Sequence, residues 1–462
     1  GGLLMRPIRQ DVFRAYDIRG RVGQDFDPDW VERFGQACGT YFLHTGADHA
    51  VVGRDCRHSS PEFQARLVEG LASTGVNVTF LPMVPTPLFY YAVKTLGHRA
   101  GVMITASHNP PEYNGFKIWA GQNTIHTTEI QKLFMLMDKG DFEKGSGIAS
   151  EFDVIPHYLD EVSTGAGLQS PLRIVVDGGN GSAGQVCTEL LERLGAEVVP
   201  LYCNPDPDFP NHHPDPTVLE NITDLQAEVR RRTAHFGVGL DGDGDRIGVV
   251  DEQGQVMYGD QLLAIYARDL LRTSPGSTIL GEVKCSHLLF QDIEDHGGQP
   301  VMVKTGHSLI KARMKESGAL LAGEMSGHMF FADRYYGFDD ALYAAARLAE
   351  IVSQNPARPL STYLDDWPRT FNTPEIRKDC PDDIKFQVVD LAREYFQNHA
   401  DTFELNDVDG VRISFSDGWG LLRASNTQPV LVLRFEAESQ IRLEEIRAFF
   451  EQPLQQWIAE LS

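Results

Sequence analysis

Residues 100–118 read AGVMITASHNPPEYNGFKI, an apolar run that passes directly into a Ser-His-Asn-Pro-Pro segment. A short apolar run bounded by turn-forming residues predicts a buried strand. Two earlier runs, AVVGRD (50–55) and NVTFLP (77–82), have the same character, and helix-length amphipathic stretches separate the three. This alternation is typical of an α/β domain, in which ligands bind at the carboxyl ends of the strands. The pattern therefore places Ser107 at a binding edge.

The alternation of strands and helices recurs in two further cycles. The runs RIVVD (173–177) and FGVGL (236–240) follow an expected linker, TGAGLQSP (164–171), and the third cycle includes TILGEV (278–283). From about Trp367 short strands broken by turn signals indicate a smaller unit. The sequence predicts an α/β fold with three similar mixed α/β domains and a smaller C-terminal α+β domain. The expected domain limits are 1–150, 151–252, 253–366 and 367–462.

The chain carries a formal net charge of −24 over 462 residues. A field of this sign repels polyanions and anionic membrane surfaces, so we expect no nucleic-acid partner and no membrane partner. An anionic substrate would have to be attracted by a local cluster of cations that acts against this field.

Compartment signals agree with one another. No apolar run approaches the roughly 18 to 20 residues that cross a bilayer, and the opening GGLLMRPIRQ lacks a basic segment followed by an apolar one. The six cysteines include no C-x-x-C pair, which favours reduced thiols over a zinc site or a disulfide framework. We therefore expect a cytoplasmic protein.

The segment FGVGLDGDGDRIGVVDEQG (236–254) contains the strongest local signal for chemistry. Asp241, Asp243 and Asp245 alternate after a predicted strand, and two carboxylates about 4 Å apart repel by roughly 4 kcal/mol at an effective dielectric constant of 20. Oxygen ligands of this kind favour Mg²⁺ or Ca²⁺ over zinc. A solvated acidic turn is the simpler alternative. An EF-hand is disfavoured because Arg246 stands where that loop needs glycine and strand-like runs flank the segment.

The segment GNGSAG (179–184) matches the G-x-G-x-x-G spacing of dinucleotide-binding loops, and Asp206 follows at roughly the expected distance. Asp206 lies beyond a Cys-Asn-Pro turn, however, and no other motif indicates nicotinamide chemistry. We therefore favour a tight strand-to-helix turn over a cofactor loop.

Two later loops gather polar side chains after strand-like runs. The loop RASNTQP (423–429) combines an arginine with hydroxyl and amide groups, which are donors that suit phosphate oxygens. The loop GEMSGH (323–328) brings a carboxylate, a hydroxyl and an imidazole within five residues, a mixture that suits sugar hydroxyls. For each loop taken alone, a plain turn is an equally good interpretation.

Ser107 and His108 are neighbours in sequence. We expect that they do not face each other as a nucleophile and its base, and no third orienting group is evident. Activation of Ser107 would then have to be electrostatic, with a phosphoryl group on its oxygen neutralised by a bound cation and nearby lysine and arginine side chains.

Five motifs, in their order and spacing, resemble the α-D-phosphohexomutases, closest to the branch of bacterial phosphomannomutase/phosphoglucomutase enzymes. They are YDIRG (16–20), TASHNPPEYNGFKI (105–118), DGDGDR (241–246), GEMSGH (323–328) and RASNTQP (423–429). The resemblance implies four domains around a central cleft. It also implies that Ser107 is a phosphoserine and a further ligand of a Mg²⁺ ion held by Asp241, Asp243 and Asp245.

The same resemblance implies roles for the other motif residues. Glu324 and Ser326 would bind sugar hydroxyls. The phosphate that is not being transferred would be bound by Arg423, Ser425, Asn426 and Thr427. Further residues that line the cleft would be Tyr16, Arg19, Lys117, Arg246, Lys284, His307 and His328. Among these, Arg19 and Arg246 are assigned to the transferring phosphoryl group, and Lys117, His307 and His328 to proton transfer.

The implied activity is that of an isomerase, an intramolecular phosphotransferase that interconverts hexose 1-phosphate and hexose 6-phosphate. Glucose esters and, as a further expectation, mannose esters are its small-molecule partners, with glucose 1,6-bisphosphate as intermediate and activator, and a monomer is expected. Met325 is typical of this branch, whereas phosphoglucosamine mutases usually have glutamine there. The alternatives are a phosphoglucosamine mutase, a Mg²⁺-dependent phosphatase and a non-catalytic sugar-phosphate-binding protein.

Overall fold

The first domain is a seven-stranded mixed sheet with helices on both faces. A computed structural model describes residues 7–165, 167–399 and 402–462 of the chain. The strands are β1 (Ile18–Arg21), β2 (His49–Arg54), β3 (Asn77–Met83), β4 (Ala100–Ile104), β5 (Tyr113–Ala120), β6 (Asn123–Thr124) and β7 (Ala149–Glu151). The helices are α1 (Pro28–His44), α2 (Ser60–Ala72), α3 (Thr86–Thr95) and α4 (Thr128–Lys139), and the next helix, α5 (Ile155–Ser163), leads into the second domain. The predicted strands at 50–55 and 77–82 are β2 and β3.

The strand order of this sheet is β1-β5-β4-β2-β3-β7, with β6 paired to β5. Strands β2, β3 and β4 run parallel, and β5 returns antiparallel to β4. Since β4 ends at Ile104, Ser107 lies just beyond its carboxyl end, where the sequence placed it.

The second domain repeats the motif with five strands. They are β8 (Arg173–Asp177), β9 (Glu197–Leu201), β10 (Phe236–Leu240), β11 (Ile247–Val250) and β12 (Val256–Met257), in the order β12-β11-β10-β8-β9, with helices α6 (Gly184–Leu194) and α7 (Thr223–Arg232). Strands β10 and β11 are antiparallel and flank the acidic segment, which excludes the EF-hand alternative because that motif requires helices there. The expected linker at 164–171 leads into β8, and Ala166 within it lies outside the described residues.

The third domain has a four-stranded sheet in the order β14-β13-β15-β16. Its strands are β13 (Thr278–Glu282), β14 (Gln299–Val303), β15 (Leu321–Gly323) and β16 (Met329–Phe331), and its helices are α8 (Gly259–Thr273), α9 (His287–Asp295), α10 (His307–Ser317) and α11 (Ala341–Ser353). Each parallel strand of this sheet is followed by a loop that carries candidate site residues.

The fourth domain is an antiparallel sheet with two helices on it. Its strands are β17 (Phe371–Asn372), β18 (Ile376–Asp379), β19 (Glu404–Asn406), β20 (Val411–Phe415), β21 (Gly418–Ala424) and β22 (Val430–Ala437), and its helices are α12 (Lys385–Gln397) and α13 (Gln440–Leu461). The order is β17-β22-β21-β20-β19, with β18 also paired to β22. The predicted α/β fold with several domains is confirmed. None of the helices in the described ranges is long and apolar enough to span a bilayer.

The first three domains share one hydrophobic core. Leu88 of α3, Leu190 of α6, Leu263 of α8 and Leu342 of α11 all belong to it and are almost completely buried. The fourth domain has a separate core beneath α12 and α13. This division gives three domains a common packed body and leaves the fourth attached at its surface.

The buried carboxyl group of Asp340 forms hydrogen bonds that join separate segments of this common core. Its Oδ2 accepts hydrogen bonds from the hydroxyls of Tyr158 and Tyr335, both at 2.7 Å, and its Oδ1 accepts the N-H of Tyr343 at 2.9 Å. Burial raises the pKa of Asp340 from 3.8 to about 6, although the three hydrogen bonds oppose the shift.

A pH dependence of stability follows from this raised pKa. The folded chain holds the proton of Asp340 more tightly than the unfolded chain, so its contribution to stability is full below about pH 4 and is lost as the pH rises through 6, by roughly 3 kcal/mol. Asp340→Asn keeps an acceptor for Tyr343 and does not titrate. The melting temperature of the variant minus that of the parent chain should therefore increase as the pH is raised from 4 to 7. A difference that does not change with pH would contradict this expectation.

Candidate active site

The Ser107 loop is held by a buried arginine. Arg57 is 1% exposed and donates hydrogen bonds to the backbone carbonyls of Ser107 at 3.2 Å, Asn109 at 2.8 Å and Pro110 at 2.7 Å. These bonds satisfy backbone carbonyls of the loop, among which that of Pro110 also accepts the N-H of Tyr113 at 3.1 Å. They fix a loop that the sequence alone marks only as a turn.

Ser107 has a left-handed backbone conformation, with φ of 55°. Its Oγ donates to Oδ2 of Asp241 at 3.0 Å and lies 3.1 Å from Nδ1 of His108. The expectation that Ser107 and His108 do not face each other is therefore wrong. It assumed an extended chain, in which neighbours point apart, whereas a positive φ turns the two side chains toward one another.

The acidic segment turns tightly between β10 and β11. Oδ1 of Asp241 accepts the N-H groups of Asp245 and Arg246, each at 3.1 Å, so the first carboxylate closes the loop on itself. Gly244 has φ of 75°, and a Cβ there would lie 2.7 Å from Ala183 and 3.0 Å from Pro85. The loop therefore packs where the first and second domains meet, in a conformation that favours glycine.

Gly242 permits this loop to reach the serine. A Cβ at this position would lie 2.1 Å from the carbonyl oxygen of Ser107. Gly242→Ala should push the loops apart, and displacement of about 1 Å lowers kcat by about 10²-fold. Steady-state kinetics would check this, with Gly167→Ala as the matched control because nothing lies within 4 Å of a Cβ there. Unchanged kcat in both variants would show that the close approach is not needed.

The three carboxylates are completely buried, and ligand oxygens from each lie within 4.8 Å of one another. Nζ of Lys117 lies 2.8 Å from Asp243 and 2.6 Å from Asp245, and Thr86 donates to Asp243 at 2.6 Å. Oδ1 of Asp243 and Oδ1 of Asp245 are buried without a hydrogen-bond partner. Unpaired buried carboxylate oxygens beside a third carboxylate fit a divalent cation with oxygen ligands.

The electrostatics of the triplet point to the same need. Burial, followed by the charges of Asp245 and Asp243, raises the pKa of Asp241 well above its usual range. A cation at the triplet would offset that repulsion. A second group of metal-type ligands comprises Asp245, His328 and Asp339. Each group has a lysine beside it, Lys311 at 3.0 Å from Asp339 and Lys117 beside Asp243 and Asp245. The triplet is the better site for Mg²⁺ because all its ligands are carboxylate oxygens, whereas the second group includes an imidazole.

Arg246 joins the loops of three domains. Its Nη1 lies 3.1 Å from Nδ1 of His108, and its Nε donates to the carbonyl of Ser326 at 3.1 Å. Burial and the Arg246 charge lower the pKa of His108 well below its usual range, so this imidazole is neutral at neutral pH. Nδ1 is then a hydrogen-bond acceptor for Arg246, while the hydroxyl proton of Ser107 is donated to Asp241.

The GEMSGH loop follows β15 and lies beside the loop after β14. Glu324 is buried, its Oε2 accepts the N-H of Gly306 at 3.4 Å, and its Oε1 has no partner. Burial raises its pKa. The rings of His307 and His328 stack with centroids 5.6 Å apart. These groups bring a carboxyl group and two imidazoles to one wall of the site.

A side-chain hydrogen bond joins the first domain to the fourth within the described residues. Nδ2 of Asn426 donates to the hydroxyl of Tyr16 at 2.8 Å, and this hydroxyl donates to the carbonyl of Thr305 at 3.0 Å. Burial raises the pKa of Tyr16 to about 12, which keeps the hydroxyl protonated at neutral pH. Arg423 is buried 3.2 Å from Asp409.

The remaining predicted residues lie on the walls between these loops. Oγ of Ser425 accepts the N-H of Thr427 at 3.3 Å, so this loop is wrapped around its own serine. Arg19 donates to Oδ1 of Asn109 at 2.7 Å, which places it beside the Ser107 loop. Nζ of Lys284 lies 3.2 Å from Glu375 of the fourth domain.

One cavity of about 900 Å³ lies beside these loops, and of the predicted site residues Arg246, Lys284 and Ser326 line it. Residues from all four domains line it: His108, Asp215, Arg246, Lys284, Ser326, Glu375 and Arg434. Arg246, Lys284 and Arg434 of this wall are donors that suit an anion. Each of them lies beside a carboxylate in this structure.

Several residues of the site were missed in the sequence. Arg57, Lys311 and Asp339 lie in segments that carry no motif, and Asp409 stands in an ordinary Asp-Gly turn. The only usable signal was the placement of Arg57 just after β2, at the same sheet edge as Ser107.

The GNGSAG loop is a tight turn, as favoured: a Cβ at Gly181 would lie 2.7 Å from the carbonyl of Gly242, so the loop packs against the acidic segment.

Comparison with known proteins defines the class. Family models for the phosphoglucomutase/phosphomannomutase alpha/beta/alpha domains I, II and III match residues 10–144, 156–254 and 258–371, and the model for the C-terminal domain matches residues 375–452. The chain belongs to the phosphoglucomutase/phosphomannomutase family. It is a phosphohexose mutase, an isomerase that moves a phosphoryl group within its substrate.

Individual relatives are similar to this chain over nearly the whole length of both proteins. The phosphomannomutase/phosphoglucomutase of Pseudomonas aeruginosa is 46% identical over 445 residues, which cover 96% of this chain and 95% of that protein. The phosphoglucomutase of Neisseria gonorrhoeae is 42% identical and covers 96% of this chain and 97% of its own length. A crystal structure of a phosphoglucomutase/phosphomannomutase family protein from Burkholderia thailandensis superposes with a TM-score of 0.91 at 42% identity, covering 97% of this chain and 98% of that one.

Proposed function

We propose that the enzyme interconverts hexose 1-phosphate and hexose 6-phosphate, with glucose and mannose esters as substrates, through a phosphoserine at Ser107. The 3.0 Å contact between Oγ of Ser107 and Asp241 carries this proposal. It brings a hydroxyl from the first domain against a buried carboxylate triplet of the second, and a phosphoryl group on that oxygen needs the cation that the triplet would hold.

Asp241, Asp243 and Asp245, together with the phosphoserine oxygen, would hold Mg²⁺. When bound, the ion neutralises charge on the phosphoryl group as it transfers. Arg19 and Arg246 lie beside the serine loop and would donate hydrogen bonds to the phosphoryl oxygens. Transfer breaks the serine O-P bond and forms a new O-P bond to a substrate hydroxyl, whose proton passes to a base.

Proton transfer is assigned to the group formed by Lys117, His307 and His328. Lys117 is buried against two carboxylates of the triplet, and the two histidines stack close by, with His328 within 4.8 Å of Asp245. Glu324 and Ser326 would bind sugar hydroxyls near these histidines. Because Oε1 of Glu324 is buried without a partner, a hydroxyl from the substrate would satisfy it.

The second phosphate needs a clamp that accepts either end of the substrate. Arg423, Ser425, Asn426 and Thr427 form that clamp in our proposal. The intermediate, glucose 1,6-bisphosphate, which also serves as activator, must turn around before its other phosphate returns to Ser107. The hydrogen bond between Asn426 and Tyr16 is one of the contacts that would open when the fourth domain moves away from the first.

Coupled assays with glucose 1-phosphate, mannose 1-phosphate and glucosamine 6-phosphate test the proposal. Turnover of the first two with no release of inorganic phosphate would support it. Far faster turnover of the glucosamine ester would favour a phosphoglucosamine mutase, and phosphate release equal to substrate loss would favour a phosphatase. Binding without turnover would leave a sugar-phosphate-binding protein.

The phosphate clamp can be tested by a conservative change. Arg423→Lys keeps the charge but loses the planar fork that holds two phosphate oxygens at once. We expect KM for the hexose phosphate to rise about 10- to 100-fold, because a charged hydrogen bond contributes about 1.5 to 3 kcal/mol. Arg447→Lys, on a surface helix, is the matched control. Equal KM values in the two variants would remove Arg423 from the clamp.

We also infer that the enzyme acts as a cytoplasmic monomer. All six cysteines are unpaired, and the four loops of the site come from one chain. Light scattering should give the mass of a single chain. A stable dimer would contradict the monomer, and growth of a mutase-deficient strain rescued only by an exported form would contradict the compartment.

A further inference from the structure

We propose that Asp339 is a positioning residue for the transfer reaction: its carboxylate holds the imidazole of His328 for proton transfer, and Lys311 holds the carboxylate. This inference rests on the proposed function, because it assigns His328 to proton movement.

The geometry joins the three groups in a line. Oδ2 of Asp339 lies 2.9 Å from Nδ1 of His328, and Oδ1 lies 3.0 Å from Nζ of Lys311. Asp339 is completely buried and Lys311 is 2% exposed. Both contacts are ion pairs by distance, although neither has hydrogen-bond geometry. Pairing of a buried carboxylate with a nitrogen at each oxygen keeps it ionised.

Lys311 is itself fixed by the first domain. Its Nζ lies 4.2 Å from the centre of the Tyr90 ring, a cation-π contact, and its backbone belongs to α10, which begins at His307. Asp339 forms an isolated backbone bridge with Phe330 of β16, a strand that begins at the residue after His328. The orientation of His328 is therefore set by groups that do not depend on the substrate.

A purely structural role does not require this arrangement. The helix α11 is capped by Asp340, whose Oδ1 accepts the N-H of Tyr343, so Asp339 is not needed for that cap. An ion pair with Lys311 would occupy a single oxygen. The second oxygen contacts Nδ1 of His328, which favours a proton on Nδ1 and leaves Nε2 as the nitrogen that can exchange a proton with a substrate.

Asp339→Asn in the full chain should lower kcat about 10²-fold, with KM for the hexose phosphate within twofold of the parent value. Lys311→Met is a comparison variant that separates the two contacts of Asp339, because it removes the ion pair but keeps the contact between Asp339 and His328. Its effect on kcat should be clearly smaller. Equal losses of kcat in the two variants, or a change confined to KM, would overturn the proposal.

A double-mutant cycle separates action through His328 from general damage. If Asp339 acts through that imidazole, Asp339→Asn should have little further effect on kcat in a His328→Asn background. Additive losses would overturn the inference. If the asparagine variant does not fold, Asp339→Glu can be compared with Asp339→Gln instead. The two side chains have the same size, and only the charged glutamate should retain part of kcat.

The failure of this inference can be told from the failure of the proposed function. If Ser107→Ala abolishes turnover while Asp339→Asn retains full kcat, only the positioning role is contradicted. If Ser107→Ala retains full turnover, the phosphoserine mechanism is contradicted instead.

Discussion

Ser107→Ala is expected to lower kcat on the order of 10⁵-fold. Loss of a nucleophile removes the covalent route and leaves only binding and electrostatic effects. The change removes one oxygen at a site that is 4% exposed and leaves the loop bonds from Arg57 in place, so folding should be preserved. Steady-state assay of glucose 1-phosphate conversion, with the melting temperature measured in parallel, checks both statements.

Ser150→Ala is a suitable control for this variant, since Ser150 is an exposed serine on β7. The control should retain full kcat. A Ser107→Ala enzyme with kcat within tenfold of the parent value would mean that another group accepts the phosphoryl group.

Asp241→Asn should lower kcat by about 10²- to 10³-fold and weaken Mg²⁺ binding by 10- to 100-fold. The amide keeps an Oδ1 that accepts the N-H groups of Asp245 and Arg246, so the loop should retain its shape. It loses the negative charge that faces Oγ of Ser107. Titration of activity with Mg²⁺ after chelation measures both effects.

The control for this change is Asp208→Asn, because Asp208 is an exposed carboxylate in the same domain. Activity that survives full chelation in the parent enzyme would contradict a metal-dependent transfer. An Asp241→Asn variant with unchanged Mg²⁺ affinity would place the ion elsewhere.

The sheet edges that carry the site could be predicted from sequence. In an α/β chain the apolar runs at 77–82 and 100–104 mark strands by period and length, and the residues just beyond such strands fall at one edge. The helices α1 and α4 were not predicted. Both pack an amphipathic face on the same sheet, but no motif draws attention to them.

Contacts between distant loops could not be predicted from sequence patterns. The facing of Ser107 and His108 depends on a single positive φ, which local propensity does not reveal for serine. The arrangement of Lys311, Asp339 and His328 depends on how the first and third domains pack. Lys311 is positioned by the ring of Tyr90, and these two residues meet only across the interface between the two domains. Sequence reasoning found residues that lie at strand ends and missed those that act from within the core.

The most direct measurement is the intact mass of the enzyme after incubation with glucose 1,6-bisphosphate, followed by peptide mapping. A single added phosphate of about 80 Da on Ser107, removed when excess hexose monophosphate is added, is the predicted result. An active enzyme that carries no phosphate, or carries it on a residue away from the Asp241 loop, would contradict transfer through Ser107.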